Sequence, residues 1–258
     1  MKGPSQNNFV DKTSIVREIW GKADTILFIF AGASAEFALN RSVDWLYFTG
    51  RLPADPLGRL FSTVEYARRI IFSEREGAVR SIDNITAIHK NVENNRGIAI
   101  PAEAYLEVLF MLIDYSIRSF ELMERRLCLD EKAEVFDVFN QVGLRMGLTM
   151  LPQNYNEYLE KRENQLTCGL RKSDFTADLY KRYRKHLGTV RYGVLKQAQV
   201  LVVPRAVNRM LGLGQMRWLQ PVVYLYKFAR LLNLHNLLKN AILPRAYAAQ
   251  VRALDNKL

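Results

Sequence analysis

The sequence predicts an all-α fold, a single multi-helix globular domain. Three observations carry this. Apolar residues recur at helical spacing in almost every segment, as with Leu106, Leu109, Phe110, Ile113, Ile117 and Phe120 on one face. Strand-like alternation is scarce, and no two-residue hairpin signal joins apolar runs. Nearly half of the 258 residues, 49%, are hydrophobic, which is ample for one well-buried core.

The elements follow from their punctuation. Asp55-Pro56 sets an N-cap and a proline at the first helical position, and the helix then runs to about Phe72. A second helix is expected from Arg75 to about Glu93, with Asn94-Asn95-Arg96-Gly97 as a turn. Pro101 opens a long helix to about Leu127, and Asp130 caps the next, to about Gly147. Pro152 precedes a helix over Gln153–Leu166, and Ser173 or Asp174 caps one that Gly188 breaks. Gly188–Val203, Arg205–Leu211, Pro221–Leu234 and Asn236–Ala253 complete the chain, the last kinked at Pro244. Repeats and low-complexity tracts are not evident. Residues 1–14 are expected to be a flexible N-terminus, and 15–258 one domain with a basic amphipathic layer over 181–258.

Composition narrows the class. Cys128 and Cys168 are far apart and in no ligand spacing, which suits a reducing compartment without a disulfide framework. The polar start Met1–Asn8 does not read as a signal peptide. The apolar run Thr25–Ala35 is 11 residues between Asp24 and Glu36, well short of the ~18 a spanning helix needs. The expectation is a cytoplasmic protein, peripheral at a membrane surface if membrane-associated. Residues 181–258 hold 15 Lys and Arg and one acid, Asp255, a net of +14; residues 1–180 hold 22 and 25, a net of −3. The overall +11 therefore resides in the last third.

The chemistry-bearing candidate is His89, one of three histidines. Ile82, Ile85 and Val92 stand at −7, −4 and +3 from it, so it belongs to an apolar stripe and is expected to point inward. Spacing alone leaves two readings open: a core histidine donating to a backbone carbonyl, or a metal ligand. A lone histidine cannot build a zinc site, which takes about four ligands. One imidazole is enough for haem, because the porphyrin supplies the other nitrogens. Arg59 and Thr63 are i and i+4 on the helix opened by Pro56, beside the apolar stripe of Leu57, Leu60, Phe61, Val64, Ala67 and Ile71. They read either as a solvated flank or as a polar wall of a buried pocket. His186 and His235 read as surface or capping residues.

Several motifs stand in order along the chain: Asp55-Pro56-Leu57-Gly58-Arg59-Leu60-Phe61-Ser62-Thr63, His89-Lys90-Asn91-Val92, the helix ending Asp114-Tyr115-Ser116-Ile117-Arg118-Ser119-Phe120-Glu121, and Gly147-Leu148-Thr149-Met150-Leu151-Pro152-Gln153-Asn154-Tyr155. From about Ile19 to Leu219 the chain resembles the MpaB/latex-clearing (rubber oxygenase) family of haem-dependent oxygenases. The resemblance implies an all-α fold with a buried pocket for haem b, its iron held by a proximal histidine that falls on His89. It also implies an Arg and a Thr near the haem, at Arg59 and Thr63. Arg59 would pair with a propionate or bound oxygen species, and Thr63 would hydrogen-bond beside it. The implied activity is dioxygen-dependent oxidation of a hydrophobic, isoprenoid or lipid-like substrate. The chain departs from the family's pattern in three places. The His-Pro pair of many members is absent from Phe28–Ala35, a Trp/His-containing stretch reads Glu107–Leu112, and the Lys of rubber-cleaving members is Ser62. The last departure argues against rubber as substrate.

The basic layer carries the alternative function. Arg205, Arg209, Arg217, Lys227, Arg230, Lys239 and Arg245 are interleaved with Val, Leu, Tyr and Trp. They suit an amphipathic face that covers the core, or one that docks on an anionic membrane surface. Nucleic acid is the weaker partner, because no binding module is recognisable. The second reading of the chain is thus a non-catalytic haem-binding or membrane-docking helical protein.

Overall fold

The computed structural model describes residues 7–41, 43, 47 and 55–231. Within them the chain forms ten α-helices and one π-helical turn, with no strand beyond isolated bridges. They are α1 (Ile15–Trp20), α2 (Ala23–Phe37), α3 (Pro56–Phe72), α4 (Arg75–Arg96) and α5 (Ala102–Met123). After them come α6 (Leu129–Arg145), α7 (Tyr155–Asn164) with the π turn Gln165–Gly169, α8 (Asp174–Val202), α9 (Arg205–Leu211) and α10 (Leu219–Leu231). The architecture is all-α, as the periodicity predicts.

Helix α5 is the spine, with buried residues on almost every turn from Ala104 to Met123. Helix α2 packs along it, with Gly32 against Tyr115, while Ser34 turns to α8 and accepts from Gln199 and Tyr183. Gly32 permits this approach: a Cβ built there would lie 2.2 Å from Cδ1 of Tyr115. Helices α6 and α8 flank the pair, and α1 closes one end with the fully buried Trp20. Burying a side chain of that size contributes about 2–3 kcal/mol. Its indole N–H donates to Ser116 Oγ at 3.0 Å, so burial leaves no polar atom unmet.

The helix ends obey local chemistry. Asp55 accepts from the Gly58 N–H at 2.8 Å, and Pro56 follows it at the first helical position. Gly188 (φ 72°, ψ 174°) interrupts α8, and Gly212 (φ 64°) ends α9. Other boundaries differ from the sequence expectation. Asn94–Arg96 continues α4 rather than forming a turn, and Gly97 (φ 72°) ends the helix one turn later. Helix α6 starts at Leu129 because the Glu131 carboxylate takes the Cys128 N–H at 2.9 Å, so the cap is Cys128 and not Asp130. Helix α7 starts at Tyr155 because the Asn154 side chain accepts from the Glu157 N–H at 3.0 Å. The predicted helix at 236–253 and His235 lie outside the described residues. Cys128 and Cys168 are both exposed and free, and His186 is exposed.

The segment ahead of α1 crosses to the start of α4. The Arg75 N–H donates to Asn7 O at 2.8 Å, Asn8 bridges Glu74, and Val10 is buried. Helices α3 and α4, joined only by Ser73-Glu74, pack on each other and on α6 around Ile70, Ala78, Ile82 and Val142.

Candidate functional site

Helix α3 carries position 59 in its first turn, the Arg59 side chain lying outside those described, and Thr63 one turn later. Its buried face is wider than the apolar stripe, because Arg68 is buried along with Val64, Ala67, Ile70 and Ile71. Arg68 donates to Trp20 O at 3.0 Å and stacks over the Phe72 ring. Thr63 and Ser62 are half-buried. Phe61 meets Phe30 of α2 edge-on at 4.9 Å, which ties the motif helix to the core.

Helix α4 carries His89 beyond the Ile82 cluster. Ala78 and Ile82 are its buried residues; Ile85, His89 and Val92 are half-buried. His89 therefore sits at the margin of the core rather than within it. Its ring meets Tyr105, near the start of α5, edge-on at 5.1 Å. Glu93 Oε1 holds that corner: it accepts from the Tyr105 hydroxyl at 3.2 Å and from the Ile100 N–H at 2.8 Å. Burial and then the charge of Glu93 raise the Tyr105 pKa, so the phenol stays protonated.

Among the described residues no group of three or more His, Cys, Asp or Glu could hold a bare metal ion. The donor set at His89 is one half-buried imidazole whose rotation is limited by a neighbouring ring. That set fits a cofactor which brings most of its own ligands, as haem does. Helix α3 packs on α4 around Ile70, Ala78 and Ile82.

A second polar centre lies between α2, α5 and α7. Arg162 is almost wholly buried and bridges two carboxylates. Its Nη2 donates to Glu36 Oε2 at 2.7 Å and to Asp114 Oδ2 at 2.8 Å. Tyr115 donates its hydroxyl to the same Glu36 oxygen at 2.7 Å. Arg118 binds the other oxygen of Asp114 at 2.7 Å. Burial opposes the charge on Arg162, but Glu36 and Asp114 overcome it and hold its pKa well above the ordinary value. Burial, then the Glu36 charge, lifts the Tyr115 phenol in the same direction. The arrangement is a neutralised ionic knot that fixes three helices at one point.

Glu107, two α5 turns before Asp114, is also buried. Desolvation pushes its pKa up to about 7, against a hydrogen bond from Asn40, and its Oε2 accepts no hydrogen bond from the protein. The groups that act on it are Glu36 and Arg41 from the end of α2 and Glu103 from α5.

The sequence reading missed this centre. Asp24 and Glu36 read there as the ends of an apolar run, although both are buried and ion-paired, and Asp114 and Tyr115 stand only as part of a motif, with no ionic contact expected of them. The available signal was an acid followed by three more apolar or small residues, Phe37, Ala38 and Leu39.

The described fold is an all-α domain in which the helix bearing His89 packs against the Asp-Pro-capped α3. The chain matches the model of the ER-bound oxygenase mpaB/B'/rubber oxygenase catalytic domain over residues 22–234 and belongs to that family. Comparison with curated proteins and with solved structures finds no match.

Proposed function

We propose that this protein is a haem b-dependent oxygenase that uses dioxygen on a hydrophobic, isoprenoid or lipid-like substrate. Family membership over residues 22–234 carries the reading. The half-buried His89, braced by Tyr105, supports the cofactor. When bound, haem would supply the iron chemistry that activates dioxygen. The chain supplies what surrounds it. His89 would hold the iron through its imidazole, with the Tyr105 edge packed on the ring and Glu93 bonded to Tyr105 behind it. Arg59 gives a permanent positive charge for an anionic group of the cofactor. Thr63 gives a hydroxyl one turn away on the same helix. Ile85 and Val92, half-buried on the same stripe of α4, would put apolar surface beside His89, which suits a hydrophobic substrate.

Absorption spectroscopy tests this. Purified protein given haem should show a Soret band, and His89→Ala should bind haem at least tenfold more weakly, about 1.4 kcal/mol or more. The variant should keep its thermal midpoint to within a few degrees, because His89 is only half-buried. No Soret band in the parent, or a His89→Ala protein that retains full haem, would sink the proposal.

A further inference from the structure

Helix α10 is oriented the wrong way round for an ordinary surface helix. Its polar side chains face the protein. Arg230 donates to Asp24 at 2.9 Å and to Glu124 at 2.6 Å. The Tyr226 hydroxyl reaches Asp24 at 3.2 Å, and Lys227 reaches the Leu122 and Glu124 carbonyls at 3.4 and 3.2 Å. The lysine thereby satisfies carbonyls at the C-terminal end of α5, where a cation is favoured.

The opposite face is apolar and open. Trp218, just before the helix, is 67% exposed; Val222, Leu225 and Phe228 are 44%, 62% and 59% exposed. Their spacing of four, three and three puts them on one side. Trp218 is held against α8 through its N–H to Gln197 Oε1 at 2.9 Å. A contiguous exposed apolar face of this kind marks a contact with another phase or molecule.

We infer that the face formed by Trp218, Val222, Leu225 and Phe228 docks on an anionic lipid surface, with α10 lying in the plane of the headgroups. Charge decides the occupant. Residues 181–258 carry a net +14, and Arg205, Arg209 and Arg217 are exposed on α9 and ahead of α10. A second copy would bring the same positive charge to the contact and be repelled. A nucleic acid would need the basic side of α10, which is turned inward onto Asp24 and Glu124. A bilayer with anionic headgroups accepts both parts, apolar side chains below the surface and basic ones at its level. The aromatic rings of Trp218 and Tyr224 suit that depth. No helix among the described residues is long and apolar enough to cross a membrane, so α10 lies on the surface. This docking is independent of the chemistry proposed at His89.

Vesicle co-sedimentation of the full chain tests the inference. Phosphatidylcholine vesicles containing phosphatidylserine should bind the protein at least about tenfold more tightly than pure phosphatidylcholine, and high salt should weaken binding. Tryptophan emission should shift to shorter wavelength on binding, and Trp218→Phe should remove the shift. The double variant Val222→Ser/Phe228→Ser replaces two exposed residues, so it should fold normally by circular dichroism and lose at least about tenfold in vesicle affinity. The inference is overturned if that variant binds like the parent or if neutral vesicles bind equally well. It is also overturned if Trp218 emission ignores vesicles, or if the variant instead abolishes a concentration-dependent dimer.

Discussion

At the scale of single residues, Glu107 is the clearest case of environment overriding identity. Its carboxyl is buried beside Asn40, with one oxygen unpaired, and its pKa rises from 4.5 to about 7. The raised folded-state value sets the sign of the pH dependence. Below about pH 4.5 the carboxyl is protonated in both states. As pH rises the unfolded chain ionises first, and stability is lost until pH passes about 7. The loss should be on the order of 1–3 kcal/mol. Urea denaturation across this range should show it, and Glu107→Gln should flatten that part of the profile. An unchanged slope in the variant would remove Glu107 as its source. His89 teaches a related lesson. Spacing puts it on the Ile82 stripe of α4, but how deep that stripe lies depends on α3 and α6, which pack on Ile82, and on α5, which meets His89 through the Tyr105 ring.

At the scale of elements, local chemistry made most helices legible. Asp55-Pro56, Gly188, Pro204 and Gly212 mark ends where a cap, a missing N–H or a positive φ acts within a few residues. The run Asn94–Arg96 misled because polar residues on an exposed face cost a helix little, and Gly97 alone ends it. The orientation of α10 was not legible at all. Its apolar spacing is that of a core-facing helix, and the buried Asp24 of α2 and the half-buried Glu124 at the end of α5 draw its basic side inward. Because α10 is held mainly by these partly exposed contacts, Arg230→Ala should release it locally. Hydrogen exchange should rise across residues 219–231 and stay unchanged in α2 and α5. Equal acceleration in α5 would mean that α10 is part of the global folding unit.

At the scale of the whole molecule, the Glu36–Arg162–Asp114 knot joins α2, α5 and α7, which are separated by more than 100 residues of chain between Glu36 and Arg162. Removing the arginine leaves two carboxylates facing each other in the core. Arg162→Ala should cost about 3–5 kcal/mol of global stability, with the dependence on denaturant unchanged. A loss below about 1 kcal/mol would show that water reaches the centre and replaces the guanidinium.

The sequence by itself determined the helical class, most of the caps, the family resemblance that the match over 22–234 bears out, and His89, Arg59 and Thr63 as the residues to test. The helices and caps rest on information within one or two helical turns, where spacing and capping act directly; the three site residues rest on the resemblance, carried by motifs in order along the chain. The tertiary structure alone decided which acids are buried and paired, how deep the His89 stripe lies and which way α10 faces. Each of those depends on side chains brought together from distant parts of the chain, and burial, the quantity that sets their charge and contacts, exists only once the helices have packed.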